Sequence, residues 1–313
     1  MSGEWADPWD ELRARDAPER GWVEECLLGG RDPLRTGTPL DRALGGGLMP
    51  GVTVLGGQAS VGKSALACQA AANVAARGLS VLYLTLDDSW ENVWARCGSA
   101  WSCSGAEGAE PFRWSDVASE RKRIRATLGR GADLSRAAFA ECQRPGMART
   151  MQLFAERVGP CLALVDSMGT VGEVEAALSL LGEPPALVVV DYLQQYRTGD
   201  QQADGSEYSR VSAAASAFQR LALGLRVPVL ELSSLRKLGR QDSDPSLDWF
   251  RGSGVVGYAA QAAVIVTRRE GVESDGARPV ALNVVKNKAG RAGFATDAWC
   301  YGAWSVMREG RDG

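Results

Sequence analysis

The sequence predicts an α/β fold, a mostly parallel twisted sheet flanked by helices, and three observations carry that expectation. From Thr36 onward, short apolar or β-branched runs alternate with helical stretches, the pattern of successive βαβ units. The run Ala186-Leu187-Val188-Val189-Val190 is apolar at every position, as a strand covered on both faces requires, and it places the sheet centre there. A glycine-rich segment, Gly57-Gln58-Ala59-Ser60-Val61-Gly62-Lys63-Ser64, joins an apolar run to a helical stretch.

Residues 1–35 are polar, rich in Arg, Asp and Glu, and carry Trp5, Trp9 and Trp22. They read as a short N-terminal helical arm, either a partly disordered tail or a helix that docks on a neighbouring subunit through its tryptophans. Residues 36–313 read as a single domain. Its candidate strands are Val52 to Leu55, Val81 to Leu86, Leu162 to Val165, Leu187 to Val190, Val229 to Leu232, Ala263 to Val266 and Val280 to Val285. Between Gly98 and Gly159 the chain reads as helical, with turn signals at Gly105 to Pro111 and Gly129 to Gly131. The basic run from Arg121 to Arg125 in that region reads as a solvated helix face rather than a nucleic-acid patch.

Composition narrows the chemistry. With 313 residues, 45% hydrophobic and 23% charged, the chain has the make-up of a soluble globular protein. No apolar run approaches the ~20 residues of a membrane helix. The acidic start lacks the basic and apolar regions of a signal peptide, so a cytoplasmic protein is expected. A net charge of −3 gives no global attraction to nucleic acid, and any DNA contact must come from a local patch. Seven scattered cysteines without a C-x-x-C pair, and no histidine, argue against a zinc site or disulfide framework; the cysteines are expected as small buried apolar side chains. The missing histidine also removes the commonest general base, so hydrolysis would have to rest on carboxylates and a metal.

The glycine-rich segment has every part of a Walker A loop, and ATP with Mg2+ is the expected ligand. Glycines let backbone N–H groups wrap the phosphates, a lysine reaches the β and γ oxygens, and a hydroxyl ligates magnesium. Gly57 and Gly62 supply the turns, Ser60, Val61 and Ala65 flank the phosphates, and Lys63 and Ser64 take the lysine and hydroxyl roles. The helix expected over Ala65 to Ala76 would point its positive end at the anion. Asp191 ends the all-apolar run and reads as the second magnesium ligand rather than a simple cap. Hydrolysis also needs a carboxylate to polarise the attacking water. Candidates end the run Leu84-Thr85-Leu86-Asp87-Asp88: either Asp87 faces the γ-phosphate, or both aspartates cap the helix expected over Ser89 to Arg96.

Four segments make the chain resemble the C-terminal ATPase domain of DnaB-type replicative helicases, a RecA-like P-loop NTPase core, from about Thr36 to Met307. They are Thr36 to Asp41 with Gly46-Gly47-Leu48 and Pro50-Gly51, the Walker A loop, Asp191-Tyr192-Leu193-Gln194, and Phe250-Arg251-Gly252-Ser253-Gly254. The resemblance implies a hexameric ring with ATP between subunits and single-stranded DNA in the central channel. It further implies that Arg96 stacks on the adenine, Asp87 is the catalytic carboxylate and Ser234 senses the γ-phosphate. Lys286 and Lys288 would reach a neighbour's nucleotide, and Arg251, Gly252 and Gly254 would hold the DNA backbone.

The chain departs from the family's pattern at several of these positions. Asp87 stands where the family has glutamate, Ser234 where it has glutamine, and Lys288 where it has an arginine finger, with Arg291 nearby as a substitute. A lysine lacks the planar bidentate fork of a guanidinium, and an arginine finger can be worth ~10³ or more in rate. The loop from Arg197 to Glu207 carries Asp200, Asp204 and Glu207, which disfavours DNA unless those acids point away. The family's N-terminal domain has no counterpart in this sequence. Two functions follow as expectations: a DNA helicase or translocase driven by ATP hydrolysis, or a slow nucleotide switch that oligomerises and acts on a protein partner in mobile-element, phage or defence biology. A small-molecule kinase fits less well, since no Arg-rich lid segment is evident.

Overall fold

The computed structural model describes residues 32–128, 141–239, 242, 244–251, 254–271 and 276–310. Nine strands pair into one sheet: β1 (Gly51–Gly57), β2 (Val81–Thr85), β3 (Leu162–Val165), β4 (Leu187–Asp191), β5 (Pro228–Ser234), β6 (Ala262–Arg268), β7 (Arg278–Asn287), β8 (Phe294–Tyr301) and β9 (Val306–Glu309). Their order is β3-β2-β4-β5-β1-β6-β7-β8-β9. The first six are mutually parallel, and β7, β8 and β9 extend the sheet antiparallel.

All seven strands expected from the sequence form. The expected sheet centre needs correction: β4 is buried at every position and flanked by β2 and β5, but the middle strand of nine is β1, also buried throughout. Burial on both faces makes a strand read as continuously apolar, and that condition holds equally for several interior strands. The two unforeseen strands have a different signature. In β8, Thr296, Ala298 and Cys300 are buried while exposed positions stand between them, the period-2 alternation of a half-solvated strand.

The helices are α1 (Pro39–Leu44), α2 (Lys63–Ala75), α3 (Trp90–Ser102), α4 (Trp114–Leu128), α5 (Pro145–Arg157), α6 (Val171–Ser179), α7 (Glu207–Gly224) and α8 (Gly254–Ala259). Local chemistry sets their ends. Thr38 caps α1 by accepting from the Leu40 N–H, and Gly45 closes it in the left-handed conformation. Thr170 and Glu173 form a reciprocal capping box on α6.

Two apolar clusters cover the two faces of the sheet. One joins α2 and α3 to Leu55, Tyr83, Val189 and Leu232; the other joins α7 to Val52, Val190, Val229 and Ile265. Helix α2 is alanine-rich and buried over nearly its whole length, which lets its axis lie close to the strands that end at the phosphate loop. On α4, Arg121 donates to the Asn92 side chain and Arg123 pairs with Glu120 at 3.0 Å, so the basic run serves intrachain contacts. The expectation for the cysteines holds in part: Cys68, Cys97 and Cys300 are buried, Cys103, Cys142 and Cys161 are half-buried, and Cys26 lies outside the described residues. The arm read over residues 1–35 and the turn at Gly129 to Gly131 also fall outside them, save residues 32–35. Among the described residues, no helix is long and apolar enough to cross a membrane.

Glu231 is the anomaly of the core. It lies in β5 between Val54 and Val190, is fully buried, and neither carboxylate oxygen has a hydrogen-bond partner among the described residues. Burial pushes its carboxyl up to about 8 from an ordinary value of 4.5. Below the unfolded value both states hold the proton; between the two values only the folded state keeps it, so this contribution to stability falls as pH rises and is lost above about 8. Glu231→Gln, neutral at every pH, should therefore raise Tm at pH 8 by more than at pH 5. Thermal melts giving the same Tm change at both pH values would contradict this account.

Candidate nucleotide site

Strand β1 delivers the phosphate loop to the carboxyl edge of the sheet, where α2 starts. Gly62 is the N-cap of α2 at φ 113°, a conformation that L side chains rarely adopt, and a Cβ there would sit 2.7 Å from Cys300 Sγ. The helix terminus and its unpaired N–H groups face a cavity of about 370 Å³. Ser60, Gly62, Lys63, Ser64 and Ala65 form one part of its wall. Val61 and Gly57 do not line it: Val61 is buried, and a Cβ on Gly57 would lie 2.6 Å from Val61 Cγ1.

The rest of the wall was largely invisible to the motif. Arg96 lines it, joined by Trp114, Arg278, Cys300 and Gly302. The Arg96 guanidinium lies over the Trp114 ring, 3.8 Å from its centroid, and Asp88 stands 3.6 Å away. The indole is fixed by a hydrogen bond from Trp114 Nε1 to the Gly302 carbonyl at 3.0 Å. These contacts span three distant stretches of chain, so no local sequence signal could reveal them.

Asp191 ends β4 in register with Thr85 of β2. It is buried, its carboxylate accepts from Tyr83 Oη at 2.8 Å, and the Ser64 hydroxyl lies beside it. Burial raises its pKa, opposed by the Tyr83 hydrogen bond, the Ser64 hydroxyl and Lys63. Lys63 donates to the carbonyls of Gly57 and Gln58 at 2.8 and 3.1 Å, and burial lowers its pKa against the pull of Asp191 and Asp87.

The two aspartates after β2 divide their roles. Asp88 stands just before α3, whose N-cap is Ser89, and accepts from the Ser89 N–H at 2.9 Å and from the Asn92 side chain at 2.7 Å. Asp87 is exposed, and its charge acts on both Asp191 and Lys63. The alternative in which both aspartates cap the helix is corrected, because the N-cap of α3 is Ser89.

Ser234 lies opposite Gly57 in the pairing of β5 with β1. Gln194, from the Asp-Tyr-Leu-Gln string, ties it to the next segment. Its amide donates to Ser233 Oγ at 2.8 Å and to the Arg251 carbonyl at 3.1 Å, while its oxygen accepts from the Ser234 N–H at 3.2 Å. Phe250 packs so tightly on the phosphate-loop strand that a Cβ on Gly56 would lie 2.6 Å from its ring.

Arg251 is exposed and paired with Glu207 at 2.9 Å. Gly254 opens α8, and Gly252 lies outside the described residues. The acids of the 197–207 loop are engaged in shaping it: Asp204 accepts from the N–H groups of Thr198 and Gly199, and Asp200 from that of Gln202. Lys288 and Arg291 sit exposed in and beside the β7–β8 turn, and Lys286 donates to the carbonyls of Gly257 and Tyr258. None of these three lines the cavity of its own chain.

The family model described as "DnaB-like helicase C terminal domain" matches residues 167–301. The resemblance read from the sequence is supported over that segment, which runs from just before α6 to the end of β8. The phosphate loop precedes it and rests on its own geometry. No curated protein sequence matches the chain. Among solved structures, one titled as an ATPase domain aligns with 98% of this chain and 100% of its own at 18% identity and a TM-score of 0.68. A structure titled "The Structure Of A DnaB-Like Replicative Helicase And Its Interactions With Primase" aligns over 91% of this chain and 66% of its own, at 17% identity and a TM-score of 0.65. At these identities the two structures establish a shared fold.

The stacked Arg96 and Trp114 offer planar surface in the cavity wall outside the phosphate loop. Trp114→Leu should weaken ATP binding about 10-fold, on the scale of stacking on an aromatic side chain, and inorganic triphosphate binding much less. Calorimetric titration with both ligands checks this; an equal loss for both would remove the base-facing role.

Proposed function

We propose that the chain is a magnesium-dependent ATPase of the DnaB-like helicase type, acting on single-stranded DNA as a homo-oligomeric ring, with a hexamer the expected form. In this reading residues 36–313 are the ATPase domain and residues 1–35 its arm. The observation that carries it is the gathering of Lys63, Ser64, Asp191 and Asp87 at one edge of the sheet, beside the amino end of α2.

Backbone N–H groups of the loop from Gly57 to Ala65 would cradle the phosphates, with Lys63 reaching the β and γ oxygens. Ser64 and Asp191 would hold the magnesium. The donor set fits: a hydroxyl and a buried carboxylate lie beside each other, and hard oxygen ligands suit this ion. When bound, the ion neutralises charge developing on the β and γ phosphates. Asp87, exposed and near enough for its charge to act on Asp191 and Lys63, would orient and polarise the attacking water. Ser234, tied to Gly57 by strand pairing and to Arg251 through Gln194, would report the γ-phosphate to the DNA-binding loop at Arg251 to Gly254. Lys286, Lys288 and Arg291 would act on a neighbouring subunit's nucleotide.

A second reading, a slow nucleotide switch acting on a protein partner, is favoured by one observation. Arg251 is the cation assigned to DNA, and its pairing with Glu207 sets an acid against any approaching phosphate. Steady-state ATPase rates and oligomer mass, with and without single-stranded DNA at low salt, separate the two. The helicase reading expects a ring whose turnover rises with DNA; a ring without stimulation leaves the switch, and a monomer with ATP bound removes both. Asp87→Glu combined with Lys288→Arg should raise turnover by at least about 10-fold, a fraction of what an arginine finger can supply. No gain would show that these two roles are wrongly assigned.

A further inference from the structure

We propose that Tyr83 is a positioning residue for magnesium: its phenol, rising from the buried strand β2, holds the Asp191 carboxylate in the orientation that receives the ion. The inference rests on the reading of Asp191 as a magnesium ligand and goes beyond it by assigning the group that aims this ligand.

The geometry begins with register. Strands β2 and β4 run parallel with Tyr83 beside Val189 and Thr85 beside Asp191, so Tyr83 starts two residues below the carboxylate. Residues two apart in a strand share a face, which puts both side chains on the α2 side of the sheet. Tyrosine is long enough to bridge that offset, and Tyr83 Oη donates to Asp191 Oδ2 at 2.8 Å from a fully buried position.

Helix α2 supplies the other half. Ser64 and Cys68 are one turn apart on the same helical face. Ser64 lies beside Asp191, and Cys68 Sγ donates to Tyr83 Oη at 3.7 Å. A phenol has a single proton to give. With the Cys68 thiol donating into the phenol oxygen, that proton is committed to Asp191.

The consequence for the ion follows from what a carboxylate can do. Held at one oxygen by Tyr83, Asp191 cannot turn about its terminal torsion without breaking a buried, charge-assisted hydrogen bond. Its remaining lone pairs keep a fixed direction. Groups that orient a metal's direct ligands typically change metal affinity by ~10–100-fold when removed. Tyr83 would belong to that class although it touches neither nucleotide nor ion.

Tyr83→Phe removes the hydroxyl and keeps the ring that fills the core. The test is binding of the fluorescent analogue N-methylanthraniloyl-ATP to the full chain across a magnesium titration, together with a reading in EDTA and a thermal melt. The variant is expected to need about 10-fold or more magnesium for half-maximal binding, with affinity in EDTA unchanged. A wild type that responds to magnesium and a variant with the same magnesium requirement, whatever its Tm, would overturn the proposal and leave the site reading intact. A wild type whose binding ignores magnesium would overturn both.

Discussion

Parallel pairing sets Gly57 of β1 beside Ser234 of β5, Val190 of β4 beside Glu231, and Thr85 of β2 beside Asp191. Because the four strands run the same way, their carboxyl ends reach one edge of the sheet together. Ligands of open parallel sheets bind outside such an edge. The phosphate loop, Asp87, Asp191 and Ser234 each end a strand or lie within a few positions of its end, so their placement follows from a hydrogen-bond ladder and not from side-chain choice. A register slip of one residue in β4 would turn Asp191 to the opposite face, away from Ser64 and Tyr83. The continuous apolar burial of β1 and β4 is what pins that register.

The same edge links nucleotide to surface. Phe250 lies against Gly56 of the phosphate-loop strand, and Gln194 spans Ser233, Ser234 and the Arg251 carbonyl. A displacement of the β5 tip would have to break or carry along those bonds, since a buried amide without partners is costly. The segment around Arg251 is therefore mechanically joined to the phosphate loop through packing on one side and hydrogen bonds on the other. Glu207, on the first turn of α7, receives the Arg251 side chain and completes the circuit.

Legibility in the sequence tracked distance along the chain. The phosphate loop, the strand before it and the helix after it are contiguous, and their residue types announce the backbone geometry; Gly62 had to be glycine for both its φ and its contact with Cys300. Asp191 was legible because an unbroken apolar strand stops at a charge. The division between Asp87 and Asp88 was not, because either could have capped α3, whereas the N-cap is Ser89 and only Asp88 is tied to the start of the helix by hydrogen bonds. Trp114, Arg278, Cys300 and Tyr83 were missed altogether. Each reaches the site by packing between elements far apart in sequence, and a lone tryptophan or tyrosine carries no spacing signal. Strands β8 and β9 escaped for a related reason: their half-exposed pattern is weaker than the apolar runs of the parallel strands.

The central claim is that the loop around Lys63 is a working nucleotide cradle. Its most direct test is calorimetric titration of ATP with magnesium into the wild type and Lys63→Ala. The account predicts saturable binding of one ATP per chain in the wild type and a loss of at least about 10-fold in affinity in the variant, the equivalent of one charge-assisted contact to phosphate. Equal affinity in the two proteins, with both folded, would contradict it.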